Sequence, residues 1–189
     1  MKKIVIIGPE STGKSTLCEE LAKHFNTLWC PEFAREYLLQ NGTHYTVENL
    51  TTIAIGQLTK EDNFTQLVEE HWKISSPKAT NTPVLLIDTD MLVMKVWSEF
   101  VFNTCDPYIF KQIENRKYDL YLLCNTDLPW TKDELREYPD LETRQTLFSI
   151  YKELLLEQKV PFIEIKGMHQ ERLETAIAGI HQFLPNIVA

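Results

Sequence analysis

Ile4-Val5-Ile6-Ile7-Gly8-Pro9-Glu10-Ser11-Thr12-Gly13-Lys14-Ser15-Thr16 is the stretch on which the reading of this chain turns. Four consecutive β-branched residues have the length of a buried strand. Gly8 to Ser15 then fits G-x-x-x-x-G-K-[ST], the pattern of a phosphate-binding loop (P-loop). Leu17, Leu21, Ala22 and Phe25 follow at three- and four-residue steps, the spacing of an amphipathic helix. A chance match to the octapeptide in a chain of this length is on the order of 1%, and the flanking strand and helix are the context the motif demands. Each residue type has a reason. Gly8 and Gly13 let the backbone curl so that its N–H groups face an anion. The helix start adds partial positive charge. Lys14 supplies a compact cation to the β- and γ-phosphates of a nucleotide, and Ser15 a hydroxyl for Mg²⁺. The loop as a whole, Gly8, Glu10, Ser11, Thr12, Gly13, Lys14, Ser15 and Thr16, is the expected nucleotide-binding segment. Glu10 is unusual in it, because a carboxylate beside phosphates is unfavourable unless it points away or finds a partner.

Working outward, short apolar runs recur at Val84–Ile87, Leu120–Leu123 and Phe162–Ile165, with a weaker one at Thr27–Cys30. They read as buried parallel strands. Segments of helical period lie between them: Thr46 to about Trp72, then 91–101, 107–116, 141–158 and 170–183. This alternation predicts an α/β fold: a P-loop domain with a parallel sheet of about five strands, helices on both faces and a small helical lid near 128–145. The Ser/Thr/Asn/Pro-rich stretch 75–83 reads as a loop, and residues 1–189 as one domain.

The 189 residues carry 19 basic and 27 acidic side chains, a net charge of −8, which argues against a general nucleic-acid binder. A composition 43% hydrophobic and 24% charged excludes a disordered or collagen-like chain. The start, Met1-Lys2-Lys3 before Ile4–Ile7, is too short in its apolar part for a signal peptide. No run approaches a membrane span, so a soluble, cytoplasmic protein is expected. Cysteines 18, 30, 105 and 124 form no CxxC pair and read as small buried hydrophobes. The five histidines compose no coherent site.

Acidic residues close the strands. Asp88 ends Val84–Ile87, where a P-loop protein places the carboxylate that organises Mg²⁺ with Ser15. Asp90 either serves an acceptor hydroxyl or caps the following helix. Glu32, after the second strand, is placed to meet an acceptor beyond the carboxyl edge of the sheet, and Arg35 either pairs with it or touches substrate. After the fourth strand, the polar, Pro-punctuated segment from Asn125 to Asp140 reads as a mobile cover. Arg136 and Arg144 are its candidates for charge over a transferring phosphoryl group.

The chain resembles the ribosylnicotinamide kinase domain of NadR-type proteins. The resemblance rests on GPESTGKST at 8–16, PEFAREY at 31–37, DTD at 88–90 with Val96–Glu99, and DLYLLCNTDLPW at 119–130 with Arg136; Gly167 and Arg172 extend it. It implies ATP-dependent phosphorylation of nicotinamide riboside at the 5′-hydroxyl, with Mg²⁺, to give nicotinamide mononucleotide. Longer relatives carry an adenylyltransferase domain, some also a DNA-binding segment, before the kinase. With the first strand starting near Lys3, neither is expected here. The riboside's pyridinium suits aromatic faces near carboxylates. Trp29, Tyr37, Trp97 and Trp130 are thus candidate substrate contacts beside Glu32, Arg35 and Asp90, with Trp97 and Trp130 foremost. By analogy with related folds, Gly167-Met168-His169 neighbours adenine. Expected partners are small molecules, with room for a homo-oligomer. The alternatives are a kinase of another nucleoside or nucleotide, and a non-kinase ATP-binding regulator.

Overall fold

The computed structural model describes residues 1–75 and 82–187. Five parallel strands, β1 (Lys2–Ile7), β2 (Trp29–Cys30), β3 (Val84–Asp88), β4 (Leu120–Cys124) and β5 (Phe162–Ile165), form one sheet in the order β2-β3-β1-β4-β5. Among the described residues, seven helices connect and cover them: α1 (Lys14–His24), α2 (Phe33–Asn41), α3 (Val47–Ser75), α4 (Met91–Phe102), α5 (Pro107–Asn115), α6 (Leu141–Glu157) and α7 (His169–Phe183). Most of the loop expected at 75–83 lies outside the described residues.

The apolar strands are uniform because both faces are covered. Ile4 and Ile6 of β1 pack with Leu17 and Leu21 of α1 and Ala176 and Ile180 of α7. Val5 and Ile7 point the other way, into a core shared with Val96 of α4 and Leu147 and Leu155 of α6. Period-two alternation is therefore present in space but invisible in residue type. A third cluster joins α2, α3, α4 and α5 around Leu50, Ile53 and Met94.

Lys2 and Lys3 find structural use. Lys2 Nζ lies 2.7 Å from Asp119, and Lys3 Nζ lies 2.7 Å from the fully buried Glu61. Arg116 and the Tyr118 hydroxyl complete the partners of Glu61. This buried charge cluster is anchored on β1 and α3.

Two features differ from expectation. Helix α2 arises from the PEFAREY segment, and β2 shrinks to Trp29–Cys30. The segment 128–140 holds no helix; α6 begins only at Leu141. Pro129 and Pro139 interrupt it, Asp133 accepts from the Leu135 N–H in a local turn that offers the backbone an alternative to helix, and Asp140 caps the start of α6 by accepting from the Thr143 N–H. The cover is an irregular strap leading into α6.

Candidate active site

Strand β1 lies between β3 and β4, so its carboxyl end is the point where the connections diverge to opposite sides, the place where open parallel sheets bind ligands. The phosphate loop leaves β1 there. Gly8 has φ +143°, and a Cβ on it would stand 2.6 Å from the Cys124 carbonyl oxygen at the end of β4. Only glycine lets the loop lie against β4 so closely. Gly13, at φ +75°, turns the chain into α1. Thr12 Oγ donates to the Pro9 carbonyl at 2.7 Å, and Lys14 Nζ to the same oxygen at 2.9 Å. The lysine thus rests across the loop it is placed to serve. Behind the loop, Arg172 of α7 is buried. Its Nη1 donates to the Thr12 carbonyl at 3.1 Å, its Nε to Gly167 at 2.8 Å and its Nη2 to Asn125 and Asp127. One guanidinium therefore ties the loop to the ends of β4 and β5.

A cleft of about 530 Å³ opens above this loop. Asp88, buried at the end of β3, accepts from Ser15 Oγ at 2.6 Å. Burial raises its pKa, while Lys14 and the Ser15 and Thr89 hydroxyls oppose the rise. Among the described residues there is no group of three or more His, Cys, Asp or Glu side chains able to hold a metal. The Ser15–Asp88 pair is instead a hard oxygen pair on one side of the loop. It fits Mg²⁺, which keeps waters and takes phosphate oxygens for most of its shell.

Thr89, at φ +77°, makes the chain turn sharply between the two aspartates. Asp88 stays at the cleft, whereas Asp90 becomes the N-cap of α4. Its Oδ1 accepts from Leu92 and Val93 N–H, and its Oδ2 from the Tyr121 hydroxyl at 2.8 Å. Burial pushes its pKa up to about 6 against these hydrogen bonds. Asp90 is 1% exposed and does not line the cleft.

Glu32 does line it. It stands at the N-cap position of α2 without capping it. The buried Gln57 takes that task, its Oε1 accepting from Phe33 N–H at 2.7 Å. The Glu32 carboxylate is thereby released toward the cleft. Burial and the Asp88 charge push its pKa up to about 7, partly opposed by Lys14 and Arg35. This is the range in which a carboxylate both accepts and returns a proton at neutral pH.

The opposite part of the cleft is aromatic. Trp29, Trp97, Tyr45, Phe100, Tyr138 and Tyr151 line it. Trp97 stands edge-on to Tyr45, with ring centroids 5.0 Å apart, and its indole N–H donates to the Tyr45 hydroxyl at 2.8 Å. That hydroxyl donates in turn to Glu137 of the strap at 2.8 Å. Arg35 pairs with Asp133 of the strap at 3.0 Å rather than with Glu32. Arg136 lies at the cleft and donates to Ser11 Oγ and to the Thr131 carbonyl.

Three further expected site residues lie elsewhere. Tyr37 faces the α2–α3 seam, where Asn49 donates to its hydroxyl at 3.0 Å and Phe33 packs beside it. Arg144 is 4% exposed in the first turn of α6, with Nη1 near the Leu128 carbonyl and no hydrogen-bond partner for Nε, and it does not line the cleft. Trp130 sits at the junction of strap and loop and donates to Glu10. Gly167 and Met168 do not line the cleft; Met168 is the exposed residue before α7. Sequence reading overlooked Gln57, Tyr45, Glu137 and, as a support of the loop, Arg172. Only Arg172 left a trace, within the family resemblance.

Comparison with known proteins adds three findings. A family model described as an AAA domain matches residues 3–172. The chain is 26% identical over 170 residues to the "Trifunctional NAD biosynthesis/regulator protein NadR" of Salmonella typhimurium, covering 88% of this chain and 38% of that protein. It therefore spans well under half the length of this relative. Among solved structures, a NadR protein in complex with NR superposes with a TM-score of 0.73 at 21% identity, covering 100% of this chain and 52% of that one. Deoxyadenosine kinase from M. mycoides superposes with a TM-score of 0.59 at 14% identity, covering 95% of this chain and 99% of that one. The fold is that of P-loop kinases.

Proposed function

Because the chain belongs to the AAA domain family and presents an intact phosphate loop facing an aromatic, acidic second pocket, we propose that it transfers the γ-phosphoryl group of ATP to the 5′-hydroxyl of nicotinamide riboside. The observation that carries this reading is that Glu32, Trp97 and Tyr45 line the same cleft as Lys14 and Ser15. The likeness to NadR proteins, one solved with NR, supports the choice of acceptor.

The loop's N–H groups and Lys14 bind the β- and γ-phosphates, and Lys14 leaves its resting contact with Pro9 to do so. Ser15 and Asp88 would hold Mg²⁺, which supplies charge neutralisation between the β- and γ-phosphates when bound. Glu32 orients the acceptor hydroxyl and takes its proton as the O5′–P bond forms and the bridging bond to ADP breaks. Of the two carboxylates open in the sequence, Glu32 has this role because both oxygens of Asp90 are engaged elsewhere. Arg136 presents positive charge to the transferring group. Trp97 and Tyr45 supply π-faces for a cationic ring, and the cleft's carboxylates favour a cation over a nucleotide acceptor. The adenine is assigned to the outer face of the loop, near the Asn125–Asp127 and Gly167–Met168 turns that Arg172 joins.

The test is a panel of nucleosides and nucleotides offered with ATP and Mg²⁺, with products read by mass. Nicotinamide riboside should gain one phosphate. A turnover confined to another acceptor would replace the substrate assignment, and no transfer to any acceptor would favour an ATP-binding regulator. Lys14→Ala should abolish transfer with the fold intact by circular dichroism, because the Lys14 Nζ hydrogen bond to the Pro9 carbonyl lies within the loop and Lys14 belongs to none of the three apolar clusters.

A further inference from the structure

The phosphate loop contains a carboxylate where an anion is least welcome. Glu10 is turned outward, away from the curl of N–H groups, and is fully engaged. Its Oε1 accepts from the Trp130 indole at 3.0 Å and from the Tyr138 N–H at 2.7 Å; its Oε2 accepts from the Glu137 N–H at 2.9 Å. Next to it, Ser11 Oγ accepts from the Thr131 N–H at 2.9 Å and from Arg136 at 3.3 Å. Two adjacent loop residues thus grip the strap at both ends: Trp130 and Thr131 where it arrives, Glu137 and Tyr138 where it leaves.

We propose that Glu10 is a positioning residue that pins both ends of the Trp130–Tyr138 strap to the phosphate loop, so that Arg136 is held at the mouth of the loop before nucleotide arrives. The strap holds no helix, so the peptide N–H groups of 137 and 138 need acceptors from elsewhere. A carboxylate satisfies both with charge-assisted bonds, stronger than a neutral side chain provides. Holding the ends fixes the path between them, and Arg136 lies on that path. Arg136 is thereby preorganised for the charge that develops in the transition state, which affects kcat rather than ground-state binding. Two other contacts, Arg35 with Asp133 and Tyr45 with Glu137, steady its acceptor-facing side. Glu10, with Ser11 beside it, links the strap to the donor-facing side. The role given to Arg136 rests on the phosphoryl-transfer reading above; the pinning itself does not.

The experiment uses the whole chain, free of ligand, as wild type and as Glu10→Ala, Glu10→Gln and Trp130→Phe. Hydrogen–deuterium exchange is read on peptides covering 130–140, with α7 peptides as the control for global opening. The amides of 137 and 138 should exchange at least tenfold faster in Glu10→Ala. Glu10→Gln should fall between, because its amide nitrogen cannot accept. Trp130→Phe, which keeps both backbone bonds, should change exchange less than threefold. Unchanged exchange at 130–140 in Glu10→Ala overturns the proposal. If Glu10→Ala opens globally, so that the α7 peptides exchange too, Glu10→Gln decides by the same criterion. Calorimetry with a non-hydrolysable ATP analogue should show less than a threefold change in Kd, while kcat falls at least tenfold. Equal losses in Kd and kcat would place Glu10 in the nucleotide cradle and overturn the proposal. If no acceptor on the panel is phosphorylated by the wild type, the transfer reading fails while the exchange arm still judges the pinning.

Discussion

Glu32 illustrates how a single residue acquires chemistry from its surroundings. Its side chain is ordinary; what distinguishes it is that Gln57 caps α2 in its place, leaving the carboxylate desolvated near Asp88. Removing it as a general base by Glu32→Gln should lower kcat by about 10²–10⁴-fold, read from steady-state kinetics with ATP in excess. The same change carries a pH signature in stability. The folded pKa, about 7, is raised above the unfolded value, so between the two the folded protein binds more protons. Stability then falls as pH rises toward 7. Glu32→Gln should therefore raise the melting temperature of the ligand-free protein at pH 8, and the gain should fade toward pH 5. A gain independent of pH would contradict the assignment. Trp97 is half-buried against Tyr45, beside the helical cluster rather than deep in the sheet core. Trp97→Ala should raise KM for the riboside more than for ATP; equal changes would make it a packing residue alone. The sequence offered Glu32 and Asp90 as equivalent carboxylates. Nothing in residue type separates them, because the difference lies in which hydrogen-bond donors fold up against each.

Among elements, α4 depends on Asp90. Its carboxylate satisfies two N–H groups of the helix start and the hydroxyl of Tyr121 across from β4. Asp90→Ala should cost about 1 kcal/mol for the cap and about 1–3 kcal/mol more for the buried hydroxyl left without an acceptor. Asp90→Asn, which keeps a cap acceptor, should cost less. Urea melts of the two variants measure the difference, and a neutral Asp90→Ala would remove Asp90 from the α4 cap. The strap shows the opposite case, an element that local sequence misplaces. The sequence predicts a helical lid near 128–145, but proline interrupts it and Glu10 offers its N–H groups an acceptor from a distant part of the chain. Helix α2 was overlooked for a related reason. Of its nine residues, only Ala34 and Leu38 are buried, which leaves little hydrophobic period to detect.

At the scale of the molecule, the net charge of −8 and a phosphate site coexist because binding draws on local donors: loop N–H groups, a helix start, Lys14 and a strap arginine. Saturation with nucleotide should then stabilise the whole fold, since the phosphate loop, α1, β3 and the strap all border the cleft. At a hundredfold excess over Kd the gain is about 2.7 kcal/mol. For a chain of this size that corresponds to roughly 5–10 °C in melting temperature. Scanning fluorimetry with and without ATP and Mg²⁺ measures it, and no shift at saturation would remove the nucleotide from this cleft. What the sequence determined by itself is the part of the protein built from contiguous residues: the phosphate loop between β1 and α1, the aliphatic strands, and the Asp at the end of β3. These are legible because loop curvature, strand burial and helix period are local consequences of residue order. What only the tertiary structure decided is the meaning of isolated polar residues. Glu10 holds the strap, Asp90 caps a helix, Arg144 lies buried off the cleft and Glu32 faces it, because each role is set by a partner as many as 128 positions away in the chain. Chain order leaves such partners unstated; packing brings them together.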